Sequence, residues 1–299
     1  MAAQLIVGKD VANSIRQGLK PRIAALKQAG VVPGLATVLV GDDPASETYV
    51  SSKGKACEKL GMYSRNIRRE ASLCQQELVE IVKELNADDR IHGILVQSPL
   101  PPHIDELAVT LTISPDKDAD GFHPYNVGMM LLGRGRLLPC TPHGIIKLLE
   151  YYDINPEGKE VVIIGRSNIV GKPVAALLMQ KGRMANATVT VAHSRSKNLD
   201  TIARRADILI AAIGKPAIVK ADMVKQGAVV IDVGVNRVDD DTAEKGYRLV
   251  GDVDFDACLE RASFITPVPG GVGPMTIAML MSNTVTAAEN IARRLGKAV

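Results

Sequence analysis

The feature that most constrains this chain is an alternation. Short apolar runs rich in β-branched residues take turns with stretches of helical periodicity. The runs lie at 35-41, 93-97, 161-165, 188-192, 207-213, 228-233 and 264-268. Each is bounded by Gly, Asp or Pro, and most are apolar on both faces. That suits central strands of parallel sheets covered by helices. Helical stretches are expected near 10-28, 44-60, 75-86, 141-152, 169-181, 199-205 and 221-226, with a long last helix from Pro274 to Leu295. The predicted class is α/β with parallel sheets. One segment, 98-143, breaks the pattern with SPLPPH, SPDKDADGFHPYN, GRGR and PCTPHG, and it reads as loop-rich. Long loops inside compact domains are usually functional. It separates two α/β units, with a boundary near 143-150.

A chain of 299 residues has room for two such domains. The net charge of +3 gives no reason to expect nucleic acid or an anionic membrane as partner. With no Trp and three Phe, stacking platforms for single strands are not expected either. Cys57, Cys74, Cys140 and Cys258 form no C-x-x-C pair and read as small core residues in a reducing compartment. The N-terminus meets Lys9 and Asp10 before any long apolar stretch, unlike a signal peptide. No apolar run is long enough to span a membrane. The expected setting is cytoplasmic.

Asp43-Pro44 starts a helix, with Asp as N-cap and Pro at the first helical position, and Gly61 ends it. At about 100° per residue, Ala56, Leu60, Cys57 and Val50 make an apolar arc. Ser46, Tyr49 and Lys53 fall inside that arc, while Glu47, Lys55 and Glu58 fall opposite. Lys53 thus faces the core. Either its stem packs while the amine reaches solvent, or the amine is desolvated and its pKa lowered. Tyr49, one turn earlier, is within reach for a hydrogen bond. Tyr49-x-x-x-Lys53 also matches the short-chain dehydrogenase pair. In those enzymes the glycine-rich turn comes first, and no T-G-x-x-x-G-x-G occurs here.

VVIIGRSNIVGKP (161-173) reads as strand, glycine turn and helix. Backbone N–H groups after Gly165 would face a pyrophosphate, or the turn is a plain connector. The next strand runs into His193-Ser194-Arg195-Ser196-Lys197, which carries two cations and no acid. With Arg166 this suits a 2′-phosphate, hence NADP, or is a solvated basic loop. Glycine turns at Gly214 and Gly234 would line the same crevice. Gln97 ends a strand, where its amide can bond a ligand or orient Lys53. Asp116, Asp118 and Asp120 alternate without the rest of a calcium loop, so no metal site is expected. PVPGGVGP (267-274) suits a stiff loop whose backbone approaches a flat ligand. The five histidines form no metal-ligand spacing.

Together these segments closely resemble the bifunctional methylenetetrahydrofolate dehydrogenase/methenyltetrahydrofolate cyclohydrolase family, called FolD in bacteria. The matching stretches are VGDDPASETYVSSKGKAC (40-57), GILVQSPLPPHID (93-105), PDKDADGFHPYNVG (115-128), PCTPHGI (139-145), GRSNIVGKP (165-173), VIDVGVN (230-236) and ITPVPGGVGPMT (265-276). The resemblance implies a two-step conversion in one-carbon metabolism. Methylenetetrahydrofolate gives a hydride to NADP, and water opens the methenyl product to 10-formyltetrahydrofolate. It further implies one folate site in a cleft between an N-terminal α/β folate domain and a Rossmann-type NADP domain. By motif, Lys53 is the acid/base residue, Tyr49 stacks on the folate, Gln97 tunes the lysine and Asp120 anchors the pterin amino edge. Ser46 supports them, and Pro269 and Gly270 line the cleft. Gly165, Arg166, Ser167, Ser194 and Val235 fall at NADP-contacting positions. Family members are usually homodimers paired through the cofactor domain, so the resemblance implies a homodimer. Ser98, where Leu is common, and Ala119, where Val is usual, are small departures.

The expected organisation is a folate domain of 1-143 plus 270-299 and a cofactor domain of 144-269. Two rivals stand beside this reading, and a third, a dehydrogenase for a different small substrate, would be separated by a folate-binding test. One is a dehydrogenase without cyclohydrolase activity, against which Tyr49, Lys53 and Gln97 speak. The other is a non-catalytic nucleotide-binding protein on the same fold, which has no need of a lysine inside an apolar arc.

Overall fold

The computed structural model describes residues 3–243 and 246–299. The chain begins with β1 (Gln4–Leu5), α1 (Gly8–Gln28), β2 (Gly34–Val40), α2 (Pro44–Leu60), β3 (Tyr63–Arg69), α3 (Gln75–Ala87) and β4 (Gly93–Val96). Then come α4 (Glu106–Thr112), α5 (Pro124–Leu131), α6 (Cys140–Tyr151), β5 (Glu160–Ile164), α7 (Gly171–Leu178), β6 (Thr188–Ala192), α8 (Leu199–Ala203) and β7 (Ile208–Ala211). A 3-10 turn at Ala221–Met223 precedes β8 (Val229–Asp232), β9 (Asn236–Asp239), β10 (Tyr247–Val250), α9 (Phe255–Cys258), β11 (Phe264–Ile265) and α10 (Gly273–Arg294).

Contacts divide the chain into two compact units, one of residues 13–140 with 277–299 and one of residues 1–12 with 141–276. The divisions near 143 and 270 shift by a few residues. The larger difference is that residues 1–12 group with the second unit. The reason is β1, which pairs in parallel with β11, Gln4 opposite Phe264 and Leu5 opposite Ile265. Gly8 also lies against Gly271, so close that a Cβ would meet its carbonyl oxygen at 1.7 Å.

The first unit is built on a parallel sheet ordered β3-β2-β4. All of β2 is buried, as a central strand with both faces covered should be. Sequence reasoning missed β3. YSRNIRR carries three arginines and is largely unburied, which fits an edge strand. On one side of the core, Leu19, Ile23 and Leu26 of α1 meet Ala56, Cys57 and Leu60 of α2 and Met279, Met281 and Val285 of α10. The stretch 98-143 is not purely loop. It holds α4, capped by Asp105 accepting from Leu107 N and Ala108 N, and α5, started by Pro124 behind a His123 cap. Both are too short to show a clear helical period.

The second unit holds a sheet ordered β1-β11-β8-β7-β5-β6, every pair parallel. From β5 the chain goes to β6 on one side and then to β7 on the other. The strand order therefore reverses beside β5, and α/β proteins bind ligands at the carboxyl ends of the strands at such a point. The hairpin β9–β10 was not expected, and the expected helix at 221-226 is only the 3-10 turn. Among the described residues no helix is long and apolar enough to cross a membrane.

Candidate active site

In the first unit, α2 carries Ser46, Tyr49 and Lys53. The Asp43 side chain accepts from Ser46 N at 2.8 Å and fixes the start of the helix. Gly61 ends it in the left-handed region, φ 67°. Lys53 is only 6% exposed, and Ser46, two turns earlier on the same helix, is buried as well. The Lys53 amine donates to Gln97 Oε1 at 2.8 Å. Gln97 Nε2 donates to the Ser98 carbonyl at 2.6 Å, which orients the amide with its oxygen toward the lysine. Burial lowers the Lys53 pKa, against the opposing pull of Asp120 and Cys140. The desolvated reading of Lys53 is therefore the structural one. The expected Tyr49–Lys53 hydrogen bond is absent among the described residues. The lysine tip turns to the glutamine, and Tyr49 stays 40% exposed, its ring available to a flat ligand.

Asp120 answers Lys53 from the loop after β4. Its carboxyl is pushed up to about 6, first by burial, with Lys53 working against that rise and Asp118 adding to it. The three alternating aspartates do not converge on one point. Asp116 pairs with Arg294 at 2.6 Å. Asp118 accepts from Gly121 N, Phe122 N, His123 N and Asn126 Nδ2, and so folds the loop. Of the three, Asp120 is the one that couples to the charge of Lys53. The backbone around it is held from elsewhere in the chain. Asn283 Nδ2 on α10 donates to the Ala119 carbonyl at 2.9 Å and to the Leu138 carbonyl at 2.8 Å. Cys140 donates its thiol hydrogen to Ala119 O at 3.3 Å, and burial holds that thiol strongly protonated. Sequence reasoning missed Asn283, and took Cys140 only as a core residue. Asn283 lies 164 residues along the chain from Ala119, and Cys140, 21 residues on, carries no polar signal that would mark it as more than a core residue.

In the second unit, β5 ends at Gly165, φ 136°, where a Cβ would meet the Ala212 carbonyl oxygen at 2.1 Å. Gly171 packs equally close to Gly165 O, at 2.2 Å. These positions bring the turn tight against the sheet. Ser167 Oγ accepts from Val170 N at 3.1 Å and Gly171 N at 3.4 Å, which fixes the entry to α7. Gly165 N donates to Ala192 O at 2.8 Å, so this turn and the loop 193–197 are neighbours at the same sheet edge. Arg166, Ser194 and Arg195 are exposed there, and Val235 is exposed after β8. The loop after β6 offers hydroxyls and cations and no carboxylate, a donor set that fits a phosphate on the ribose and disfavours a bare 2′-hydroxyl. Pro269 and Gly270 also belong to this unit. Gly270 O accepts from Gly8 N at 2.9 Å, which seats their loop on the first turn of α1.

Two family profiles match this chain. One, described as the catalytic domain of tetrahydrofolate dehydrogenase/cyclohydrolase, covers residues 6–120. The other, its NAD(P)-binding domain, covers residues 139–292. The chain belongs to the tetrahydrofolate dehydrogenase/cyclohydrolase family. A relative from Prosthecochloris aestuarii, named bifunctional protein FolD, is 55% identical over 284 residues, covering 94% of this chain and 96% of its own. The solved bifunctional FolD of Campylobacter jejuni superposes with a TM-score of 0.91 at 49% identity, over 97% of this chain and 100% of that one. The Trypanosoma brucei enzyme, solved with NADP cofactor and an inhibitor, gives 0.93 at 41% identity, over 98% and 99%. In this chain a lysine, a glutamine and an aspartate gather in one unit, and a dinucleotide-type turn lies in the other.

Proposed function

We propose that this protein oxidises 5,10-methylenetetrahydrofolate with NADP and then hydrolyses the methenyl product to 10-formyltetrahydrofolate. The observation that carries this reading is Lys53, buried on α2, bonded to Gln97 and facing the charge of Asp120. When bound, NADP accepts the hydride from the methylene carbon. Gly165, Arg166, Ser167, Ser194 and Val235, at the carboxyl ends of β5, β6 and β8, would hold it, Arg166 and the loop at Ser194 supplying the donors for its phosphates.

The folate side is residue chemistry. Asp120 accepts from the N–H edge of the pterin, and Tyr49 covers its face. Ser46 completes the lining within this unit. Lys53 serves the hydrolytic step. Water attacks the methenyl carbon, and the C–O bond forms as Lys53 Nζ takes one proton, which passes to solvent. The ring C–N bond then opens, the carbonyl forms, and the second proton ends on the freed ring nitrogen. A lysine with an ordinary pKa is nearly all ammonium at neutral pH and cannot take that proton. Burial enlarges the share of neutral amine.

A nucleotide-free assay tests the second activity by itself. Methenyltetrahydrofolate should lose its absorbance faster with the protein than with buffer. Hydride transfer without that loss would instead favour the dehydrogenase-only reading. The buried free thiols of Cys57, Cys140 and Cys258 fit a reducing cytoplasm. Two copies pair through the NADP-binding unit, and sedimentation velocity tests this.

A further inference from the structure

Two aspartates lie buried behind the loops that follow β7 and β8, and the folate chemistry uses neither. Asp252 is fully buried, 0% exposed. Its Oδ2 accepts from Ile213 N at 2.7 Å and Gly214 N at 2.9 Å, and its Oδ1 from Lys215 N at 3.0 Å and Asn236 Nδ2 at 2.9 Å. Asp232 accepts from Gly234 N, Asp252 N and Val253 N, each at 2.9 Å. The fit excludes any side chain at the neighbouring glycines. A Cβ on Gly234 would meet Asp252 Oδ1 at 2.2 Å, and one on Gly251 would meet Asp232 Oδ2 at 1.8 Å.

Three successive backbone N–H groups turned inward on a carboxylate form a filled anion nest. These groups stand at the carboxyl end of β7, next to the Gly165 turn, where an NADP phosphate would otherwise compete for them. With Asp252 in place they are spent, so the phosphates fall to the Gly165 turn and the basic loop after β6. The same carboxylate ties the 213–215 loop to Asn236 and thereby fixes Val235 on the β8 side of the crevice.

We infer that Asp252 is a positioning residue for the nucleotide, setting the β7 and β8 loops that cover it while touching none of it. The role rests on the NADP reading above. It predicts a split between the two activities, because the hydrolytic step needs no nucleotide and its residues lie in the other unit.

The test compares wild type with Asp252→Asn, which keeps the shape but points an N–H2 group at N–H donors. NADP is titrated directly by calorimetry, KM is measured for NADP and for methylenetetrahydrofolate, and methenyl hydrolysis is followed without nucleotide. The Kd and KM for NADP should rise on the order of tenfold or more, with the folate KM and the hydrolysis rate close to wild type. Asn236→Ala removes one donor to the same carboxylate and should give a smaller rise of the same kind. It carries the prediction if Asp252→Asn does not fold. Unchanged NADP affinity in a folded variant overturns the inference, and so does an equal loss of both activities. Wild-type protein that binds no NADP overturns the nucleotide site itself, and this role with it.

Discussion

Lys53 Nζ donates to Gln97 Oε1 across 2.8 Å, and the glutamine is held in turn by its own 2.6 Å donation to the Ser98 carbonyl. The lysine thus keeps one fixed acceptor inside a buried site. An acceptor oxygen stabilises the ammonium more than the neutral amine, so it opposes the lowering that burial imposes. Gln97→Leu removes that support. The acid limb of the hydrolysis pH profile should then move down, by up to about one pH unit for a bond of this kind. An unmoved limb would show that the glutamine does not tune the lysine.

Asp120 gives a second pH signature. Its carboxyl is pushed up to about 6, so it loses its charge on mild acidification. The KM for methylenetetrahydrofolate should rise as pH falls through 6, while the KM for NADP does not follow it. Asp120→Asn should raise the folate KM on the order of tenfold or more and abolish that pH dependence.

Gly165→Ala tests the turn. The position lies at φ 136°, and a Cβ would come within 2.1 Å of Ala212 O. The strain amounts to about 1–3 kcal/mol before any clash. NADP binding, read by titration, should weaken on the order of tenfold or more. Nucleotide-free hydrolysis of the methenyl substrate should persist.

Acid stability follows from His92. It is buried, its Nδ1 accepts from Gly34 N at 3.2 Å, and burial lowers its pKa to about 4. The unfolded chain, at the ordinary histidine value of 6.5, therefore binds the proton first. Stability from His92 is full above 6.5 and is lost as pH falls toward 4, by at most about 3 kcal/mol. Asp120 and Asp232, both raised to about 6, act oppositely and stabilise the folded state as pH falls from 6 toward 3.8. Wild type alone mixes these effects. In urea melts, the stability lead of wild type over His92→Asn should shrink between pH 6.5 and 4. A constant lead would contradict the assignment.

Much of this was legible in the chain because it is local. The alternation gave the buried strands of both sheets, and turning the 44–60 helix placed Lys53 on one arc with Ala56, Cys57 and Leu60, all four of which the structure buries. The Asp43 cap and the Gly61 stop were readable for the same reason. What stayed hidden depends on distant partners. Tyr63–Arg69 is polar and becomes a strand only because β2 offers a full parallel edge. Asn283 reaches Ala119 across most of the chain, and Asp252 finds its amides at 213–215. Gln4 and Leu5 carry no strand signal until β11 lies beside them.

The most direct test of the central claim follows wild type and Lys53→Met in one mixture of methylenetetrahydrofolate and NADP, recording reduced nucleotide and methenyl absorbance separately. Wild type should reduce the nucleotide and accumulate 10-formyltetrahydrofolate with little methenyl build-up. Lys53→Met should still reduce the nucleotide but pile up methenyl product, its hydrolysis slowed on the order of a hundredfold or more. Equal loss of both steps in a folded Lys53→Met protein, or hydrolysis at the wild-type rate, would contradict the account.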